Sequence, residues 1–257
     1  MTNSWTTGGD LAASYTEHSK DLRGALRHAL VTRALAHHLP ARPQRILDIG
    51  GGSGIQARAL AARGHHLTVL DPDPAMLTRA EHAWAARSED TPGTLRLLHG
   101  RGEDAPRLAG TGWDAVLCHG VLMYLEDPAP LVEALAACTR PGGTLSILAK
   151  SAEAMAMRPA LERRWADARR ALTDRTETGR LGAVSRGTPR AALQDWLAEH
   201  RVNVTAWYGV RCFTDHLGEE PAGADFAEIL DLEWEAGCRS PYRDIARLFH
   251  LIAHREQ

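Results

Sequence analysis

The sequence predicts an α/β protein built on a doubly wound, mostly parallel sheet of seven strands. Between Arg45 and Ala149, short apolar segments alternate with helical patterns of roughly 10–15 residues, which is typical of βαβ crossovers. The first apolar segment runs directly into a glycine-rich turn, and the alternation returns after Pro189. A length of 257 residues allows one large domain with an inserted cap, or two small domains.

The elements follow in order along the chain. Apolar residues at helical spacing predict an N-terminal helix at Glu17–Leu39, which Pro40 ends. Five strands are expected next, at Arg45–Gly50, His65–Leu70, Thr94–His99, Trp113–Cys118 and Thr144–Ala149. The helices between them are predicted at Ser53–Arg63, Pro74–Arg87 and Asp127–Thr139. The last third predicts a helix, a strand, a helix and a strand, at Pro189–His200, Val202–Phe213, Ala224–Ala236 and Arg247–His254. We expect the final pair of strands to be antiparallel.

A lid is predicted where the regular alternation stops at Lys150. Ser151–Thr173 is a long helical pattern that Pro159 kinks or restarts, and Asp174–Thr188 is a Gly/Thr/Arg stretch expected to be mobile or to act as a hinge. We therefore expect a single domain over residues 1–257. Its parts are an N-terminal helical segment (1–44), a core (45–150), a helical lid and loop (151–188) and the C-terminal part of the sheet (189–257).

Composition disfavours several classes of protein. No apolar segment approaches the roughly 18 residues that a membrane span needs, and the polar N-terminus does not resemble a signal peptide. We expect a cytoplasmic protein with no membrane partner. A net charge of −2 gives no electrostatic support for nucleic acid binding. The cysteines are far apart and the paired histidines lack ligand-like partners, so no metal is expected. The sequence leaves the oligomeric state open.

The glycine-rich turn, DIGGGSG from Asp48 to Gly54, suggests a nucleotide-type ligand but not which one. Gly52, Gly54 and Ala57 satisfy the dinucleotide fingerprint, and Asp71 follows at the distance of a ribose-binding acid. An NAD-binding oxidoreductase is therefore one interpretation. A tight turn that holds no ligand is another.

Three features favour a methyltransferase. Asp48 precedes the glycines, where its charge suits a cationic sulfonium cofactor and would repel a pyrophosphate. Asp71 ends the second strand and can accept hydrogen bonds from both ribose hydroxyls. The stretch from Asp114 to Pro128, followed by the RPGG sequence at 140–143, looks like the passage from the fourth to the fifth strand of class I methyltransferases.

The whole chain also resembles the methyltransferases that esterify 5-carboxymethoxyuridine at the tRNA wobble position. The matching stretches are GALR at 24–27, LDIGGGSG at 47–54, ARGH at 62–65, HGVL at 119–122, GVRCFTD at 209–215 and the tail from Pro241 to Ala253. The resemblance implies a Rossmann-like class I fold. It also implies S-adenosyl-L-methionine as cofactor and S-adenosyl-L-homocysteine as product.

The resemblance assigns roles at the cofactor. Arg27 falls where the family uses an arginine, on the methionine carboxylate. Asp71 matches the ribose acid, and Gly102 and Glu103 match contacts to the adenine edge. At Ser53 the chain departs from the family, which has an acid there. The expected cofactor site comprises Arg27, Asp48, Gly50, Gly52, Ser53, Gly54, Asp71, Gly102, Glu103 and His119.

The resemblance is weaker at the acceptor. The family has a lysine-rich loop after the lid helix, whereas residues 173–186 hold three arginines and two acids here. Because phosphate neutralisation is the main source of nucleic acid affinity, this favours a small-molecule or peptide acceptor. Full-length resemblance favours tRNA, with four lid arginines as substitutes for the loop: Arg163, Arg164, Arg169 and Arg170. A catalytically silent methyltransferase fold is a third alternative, which the intact glycine loop argues against.

The acceptor chemistry stays open between a carboxylate and a hydroxyl. An ionised carboxylate needs no general base, whereas a hydroxyl does, and His119 is the candidate catalytic residue. Arg158 and Arg211 are candidates for holding an acceptor carboxylate by bidentate pairing. Three aromatic residues are candidates for lining the acceptor pocket: Tyr124, Trp165 and Tyr208.

Overall fold

The computed structural model describes residues 21–178, 184–217 and 220–257. Its strands are β1 (Arg45–Ile49), β2 (His66–Asp71), β3 (Thr94–His99), β4 (Trp113–His119), β5 (Thr139–Lys150), β6 (Thr176–Thr178), β7 (Val184–Arg186), β8 (Val202–Val210) and β9 (Leu248–Arg255). Its α-helices are α1 (Leu22–His38), α2 (Ile55–Ala61), α3 (Pro74–Ala85), α4 (Ala105–Leu108), α5 (Ala129–Cys138), α6 (Met157–Leu161), α7 (Trp165–Ala171), α8 (Arg190–Glu199) and α9 (Phe226–Gly237).

Seven of these strands form one sheet in the order β3-β2-β1-β4-β5-β9-β8. Strands β1 to β5 are parallel, and β9 is antiparallel to both of its neighbours, β5 and β8. The predicted fold class and the antiparallel final pair are confirmed. The strand order reverses between β1 and β4, and ligands of such sheets bind in the crevice at this point, beyond the carboxyl ends of the strands.

The carboxyl edge of the sheet also collects residues from the far end of the chain. Because β9 runs against β5, its first residue, Leu248, pairs with Lys150 at the end of β5. Leu248 also pairs with Val210 at the end of β8. The segments just after β5, just after β8 and just before β9 therefore meet at the edge where β1, β2 and β4 end.

Two hydrophobic clusters cover the two faces of the sheet. Successive residues of β1 alternate between them, because side chains along a strand point to opposite faces. Ile46 packs in the cluster that contains Leu26 of α1, whereas Leu47 packs in the cluster that contains Leu131 of α5. Full burial of one such leucine stabilises the fold by about 1.5–3 kcal/mol. The packing holds the loops at the carboxyl edge on a rigid support.

The N-terminal helix begins at Leu22, where Asp21 caps it by accepting a hydrogen bond of 2.8 Å from the Gly24 amide. It ends at His38, close to the prediction. The predicted residues 17–20 lie outside the described part of the chain. Within that part, no helix is long and apolar enough to cross a membrane.

The lid differs from its prediction. The expected long helix is two short ones, α6 and α7, separated at Arg163, whose φ of 60° is left-handed and interrupts helical hydrogen bonding. The stretch predicted as mobile or as a hinge contains β6 and β7, which pair antiparallel, while residues 179–183 lie outside the described ranges. Strand β5 also begins earlier than predicted, because Thr139 pairs with Trp113 before the register shifts.

Candidate functional site

A cleft of about 1030 Å³ opens at the carboxyl ends of β1, β2 and β4, where the sheet order reverses. Four segments form most of its wall: α1, the loop after β1, the loop after β2 and the loop after β4. The lining includes Arg27, His28, Asp48, Gly50, Gly51, Gly52, Ser53, Gln56, Asp71, Met76, His119, Val121 and Tyr124.

The loop between β1 and α2 needs its glycines. Gly50, Gly52 and Gly54 have φ values of 71°, 55° and 70°, a left-handed conformation that glycine adopts without strain. A Cβ on Gly51 would lie 2.7 Å from the Asp48 carboxylate. The glycines therefore leave the backbone of this loop exposed along the wall of the cleft, with no side chains in between. Gly54 caps α2 and does not line the cleft, so its part is to shape the loop.

Two buried carboxylates face this loop. Asp71 accepts hydrogen bonds of 2.8 Å from the Gly52 amide and 2.9 Å from the Asp73 amide, which fix its orientation. Asp48 Oδ2 is buried without a hydrogen-bond partner among the described residues. Burial, and then the nearby Asp71, raise the pKa of Asp48 to about 7. A ligand that brings a cation to Asp48 would supply the missing partner, which fits the positively charged cofactor expected from the sequence.

The helix α1 contributes two neighbouring side chains to the wall. Arg27 Nη2 lies 3.0 Å from His28 Nε2. Burial, and then the charge of Arg27, lower the pKa of His28 to about 3, so this imidazole is neutral. Arg27 lines the cleft, and its role at the cofactor stays a prediction. The sequence analysis missed His28, although it follows Arg27 directly in the same helix.

His119 ends β4 and belongs to a buried hydrogen-bonded chain. Its Nε2 lies 2.8 Å from the Ser146 hydroxyl, which lies 2.7 Å from His250 Nε2. Burial, and then His28 and Arg27, lower the pKa of His119 to about 3. Such a group is a weak base, so the structure gives no support to its use in deprotonating a hydroxyl acceptor.

Besides Gly54, four predicted site residues line neither this cleft nor the smaller cavity described below. Glu103 pairs with Arg101 at 3.2 Å, and Gly102 packs against Leu131 and Ile49, so neither of the two predicted adenine contacts lines the cleft. Trp165 and Tyr208 do not line the cleft either, and their place in an acceptor pocket stays a prediction. Trp165 is 64% exposed on α7, and Tyr208 stacks on Trp234 at 5.1 Å. Tyr124 does line the cleft.

A second, smaller cavity of about 280 Å³ contains Arg158 and Arg211. Both arginines belong to a charge cluster that the sequence analysis recognised only in part. We use the term charge cluster for Lys150, Arg158, Glu177, Arg211, Asp215 and Arg247. Arg211 Nη2 lies 3.2 Å from Asp215 Oδ1. The one available signal was that Asp215 ends the GVRCFTD stretch that carries the family resemblance.

Among the residues that the structure describes, no group of three His, Cys, Asp or Glu side chains is placed to hold a metal ion.

Comparisons with known proteins agree with the geometry of the cleft. Residues 47–147 match the family model of the methyltransferase domain. The chain is 29% identical over 242 residues to the tRNA 5-carboxymethoxyuridine methyltransferase of Escherichia coli K12, covering 91% of this chain and 90% of that relative. A ubiquinone biosynthesis O-methyltransferase of Paracidovorax citrulli is 33% identical over 105 residues, covering 40% and 42% of the two chains.

A solved structure shows the same fold. The magnesium protoporphyrin IX methyltransferase of Synechocystis with bound S-adenosylhomocysteine has a TM-score of 0.62 at 13% identity, and the match covers 91% of this chain and 86% of that one. The oxidoreductase and catalytically silent alternatives are therefore set aside. The chain is an S-adenosylmethionine-dependent methyltransferase with the class I fold.

Proposed function

We propose that the protein transfers a methyl group to a carboxylate and forms a methyl ester, and that the acceptor is 5-carboxymethoxyuridine in tRNA. The observation that supports a carboxylate acceptor is the low basicity of His119. Its pKa of about 3 makes it unsuitable as the general base that a hydroxyl acceptor would need. A carboxylate is ionised at neutral pH and attacks without losing a proton. Arginines of the charge cluster stand at the same edge of the sheet, where such an anion would approach.

The cofactor would be held along the wall of the cleft. Asp48 would meet its positive charge, and Asp71 would accept hydrogen bonds from its ribose hydroxyls. Arg27 would pair with its carboxylate. The backbone of Gly50, Gly52 and Ser53 would lie against it. When bound, the cofactor supplies a methyl group on a sulfonium, which is both electrophile and leaving group.

The protein's part in the reaction is alignment and exclusion of water. A carboxylate oxygen of the acceptor forms a bond to the methyl carbon while the carbon–sulfur bond breaks. The electron pair of that bond stays on sulfur, so a neutral thioether leaves and no proton moves. Every step agrees with a neutral His119 and a neutral His28 beside the cleft.

The tRNA assignment is supported by how much of the chain the similarity covers. Similarity to the E. coli tRNA enzyme covers 91% of this chain, whereas similarity to the ubiquinone enzyme covers 40%. A match of that extent has to take in most of the lid and of the C-terminal strands, which lie beyond the cofactor half.

The surface of the lid is compatible with RNA. Residues 157–178 and 184–186 hold seven arginines and four acids, in a chain whose net charge is −2. Arg164 and Arg170 are paired with Asp167, at 2.7 and 2.5 Å. No ion pair of Arg163 or Arg169 is found in the described ranges, and both side chains are exposed beside Trp165. Exposed arginines beside an aromatic ring suit phosphates and unstacked bases.

A small-molecule or peptide carboxylate is the second candidate, favoured by the acids that pair with part of the lid. One assay separates the two. The enzyme and methyl-labelled cofactor are incubated with tRNA that carries the unesterified nucleoside, and the nucleosides are analysed by mass spectrometry. We expect 5-carboxymethoxyuridine to gain one methyl group. Label that stays out of RNA but enters a metabolite extract would instead support the small-molecule acceptor.

A further inference from the structure

We infer that the charge cluster is a binding site for one further oxyanion, and that this anion is the acceptor carboxylate. The inference rests on the proposed function and deepens it, because it states which side chains select a carboxylate. It adds Arg247, which lines the same cavity, to the two arginines that the sequence indicated.

The cluster is organised around two carboxylates. Glu177 of β6 lies 2.5 Å from Lys150 Nζ and 3.5 Å from Arg158 Nη2, and it also accepts a hydrogen bond from Arg247. Ser185 of β7 accepts a second hydrogen bond of 2.6 Å from Lys150. The β6–β7 pair of the lid is thereby tied to the ends of β5 and β9.

The other carboxylate, Asp215, is held less completely. It lies 3.2 Å from Arg211, 3.6 Å from Arg158 and 3.5 Å from Arg247. Neither of its oxygens makes a hydrogen bond within the described part of the chain. Its position is therefore set by charge, at the wall of the small cavity.

Positive charge exceeds negative charge in the cluster. Its four cationic side chains share Glu177 and Asp215, and a third acid, Glu162, lies 3.8 Å from Arg158 Nε while it pairs more closely with Arg164, at 2.7 Å. The adjacent Arg23 has its own partner in Asp21 at 3.7 Å. Burial, and then the charge of Arg247, lower the pKa of Lys150 to about 7, as expected beside uncompensated cations.

Donors for an extra anion are already present. Arg247 is 4% exposed and lines the small cavity, and its Nη1 has no hydrogen-bond partner among the described residues. The Nε atoms of Arg158 and Arg211 are also buried and make no hydrogen bond within the described ranges. Buried donors without partners are costly, and guanidinium groups match the two oxygens of a carboxylate. A carboxylate in the cavity would satisfy both requirements.

The cavity also lies where an acceptor would enter. Its cations are Arg158 of α6, Arg211 just after β8 and Arg247 just before β9, and the last two stand at the carboxyl edge that holds the cofactor cleft. Arg27 in the wall of the cleft is close enough to Arg211 to contribute to the lowering of its pKa to about 10, after burial as the main cause. Both cavities therefore lie towards the carboxyl edge of the sheet.

A kinetic test uses Arg158→Gln and Arg211→Lys, with Arg201→Gln as a matched control. Arg201 is mostly exposed and pairs with Glu256 at the opposite edge of the sheet. With tRNA as acceptor, we expect the KM of both cluster variants to rise about 100-fold, as for loss of a charge-assisted bidentate pair. Affinity for S-adenosylhomocysteine and the control should not change. An unchanged KM in both variants would overturn the inference.

A binding test does not depend on the identity of the acceptor. Sodium acetate, compared with sodium chloride at equal ionic strength, should raise the Tm of the wild type and not that of Arg158→Gln. The melting temperature of Arg158→Gln without acetate should not fall, because the substitution removes surplus charge; a large fall would indicate a purely structural ion pair and contradict the inference. If acetate acts as expected while tRNA is not methylated, the proposed acceptor fails and the anion site stands.

Discussion

The cofactor side and the acceptor side of this protein are built differently. Most of the cofactor cleft comes from loops that directly follow β1, β2 and β4, and its polar groups are backbone amides and two acids. The charge cluster joins residues that are up to about a hundred positions apart, from Lys150 to Arg247. The first site depends on a contiguous motif, and the second depends on the antiparallel return of β9. Substitutions on one side should therefore spare the other.

The largest effect is expected on the cofactor side. Asp71→Ala should weaken binding of S-adenosylhomocysteine about 100-fold or more, because two charge-assisted hydrogen bonds of about 1.5–3 kcal/mol each are lost. Isothermal titration measures this loss. Asp231→Ala, on the exposed face of α9, is the matched control and should bind normally. Equal affinity of Asp71→Ala and the control would break the assignment of the cleft.

The pH dependence of cofactor binding tests whether Asp48 is the carboxylate that meets the positive charge of the ligand. Its pKa is raised to about 7, so the carboxyl is protonated in the free protein below that pH and ionised above it. S-adenosylhomocysteine lacks the sulfonium charge but keeps an ammonium group, and a ligand that brings this group to Asp48 prefers the ionised carboxylate and displaces its proton on binding. Affinity for S-adenosylhomocysteine should therefore rise about tenfold between about pH 6 and pH 8. Asp48→Asn should bind more weakly with a flatter profile; a profile that stays as steep would point to another group.

Substitution of His119 distinguishes a role in aligning the substrates from a role in proton transfer. At saturating substrates, His119→Asn should lower turnover by less than about tenfold, since loss of a true general base costs about 100- to 10,000-fold. The pH profile of kcat should keep its shape. Ser146→Ala, which removes the hydroxyl that contacts His119, should behave in the same way. A drop of several hundredfold in either variant would indicate a hydroxyl acceptor.

The smallest effect on stability is expected in the lid. Because Trp165 is 64% exposed, Trp165→Ala should change the free energy of unfolding by less than about 0.5 kcal/mol, as measured in urea. Its affinity for tRNA should fall about tenfold, since stacking of one base on an aromatic ring contributes about 1–3 kcal/mol. Full tRNA affinity in this variant would remove α7 from the RNA surface.

The same difference between local and long-range contacts decides which features could be predicted from the sequence. Strands and helices of the core lie within a few residues of their predicted limits, because apolar periodicity and glycine turns are local signals. Asp48 and Asp71 were predicted for the same reason. The lid was predicted less well: the left-handed Arg163 has no local signature, and the β6–β7 pair depends on tertiary contacts.

The acceptor side shows why the rest could not be predicted. Arg158 and Arg211 were named as anion-binding candidates, yet two other members of the charge cluster, Glu177 and Arg247, could not be linked to them without the register of β9 against β5. Tyr208 and Trp165 lie outside the lining of the cleft, since residue type alone does not show which face of an element is directed towards a cavity. The role of Ser146 as the link between His119 and His250 is likewise a property of the sheet.

The stability of the transferred label to alkali tests methyl ester formation most directly. After reaction with methyl-labelled cofactor and tRNA, the RNA is isolated and treated with mild base. A methyl ester hydrolyses under these conditions and releases volatile methanol, whereas a methyl ether or methylamine keeps its label. We predict that nearly all of the label in RNA is released as methanol. Label that remains on the nucleosides after this treatment would contradict carboxylate methylation and restore a hydroxyl or nitrogen acceptor.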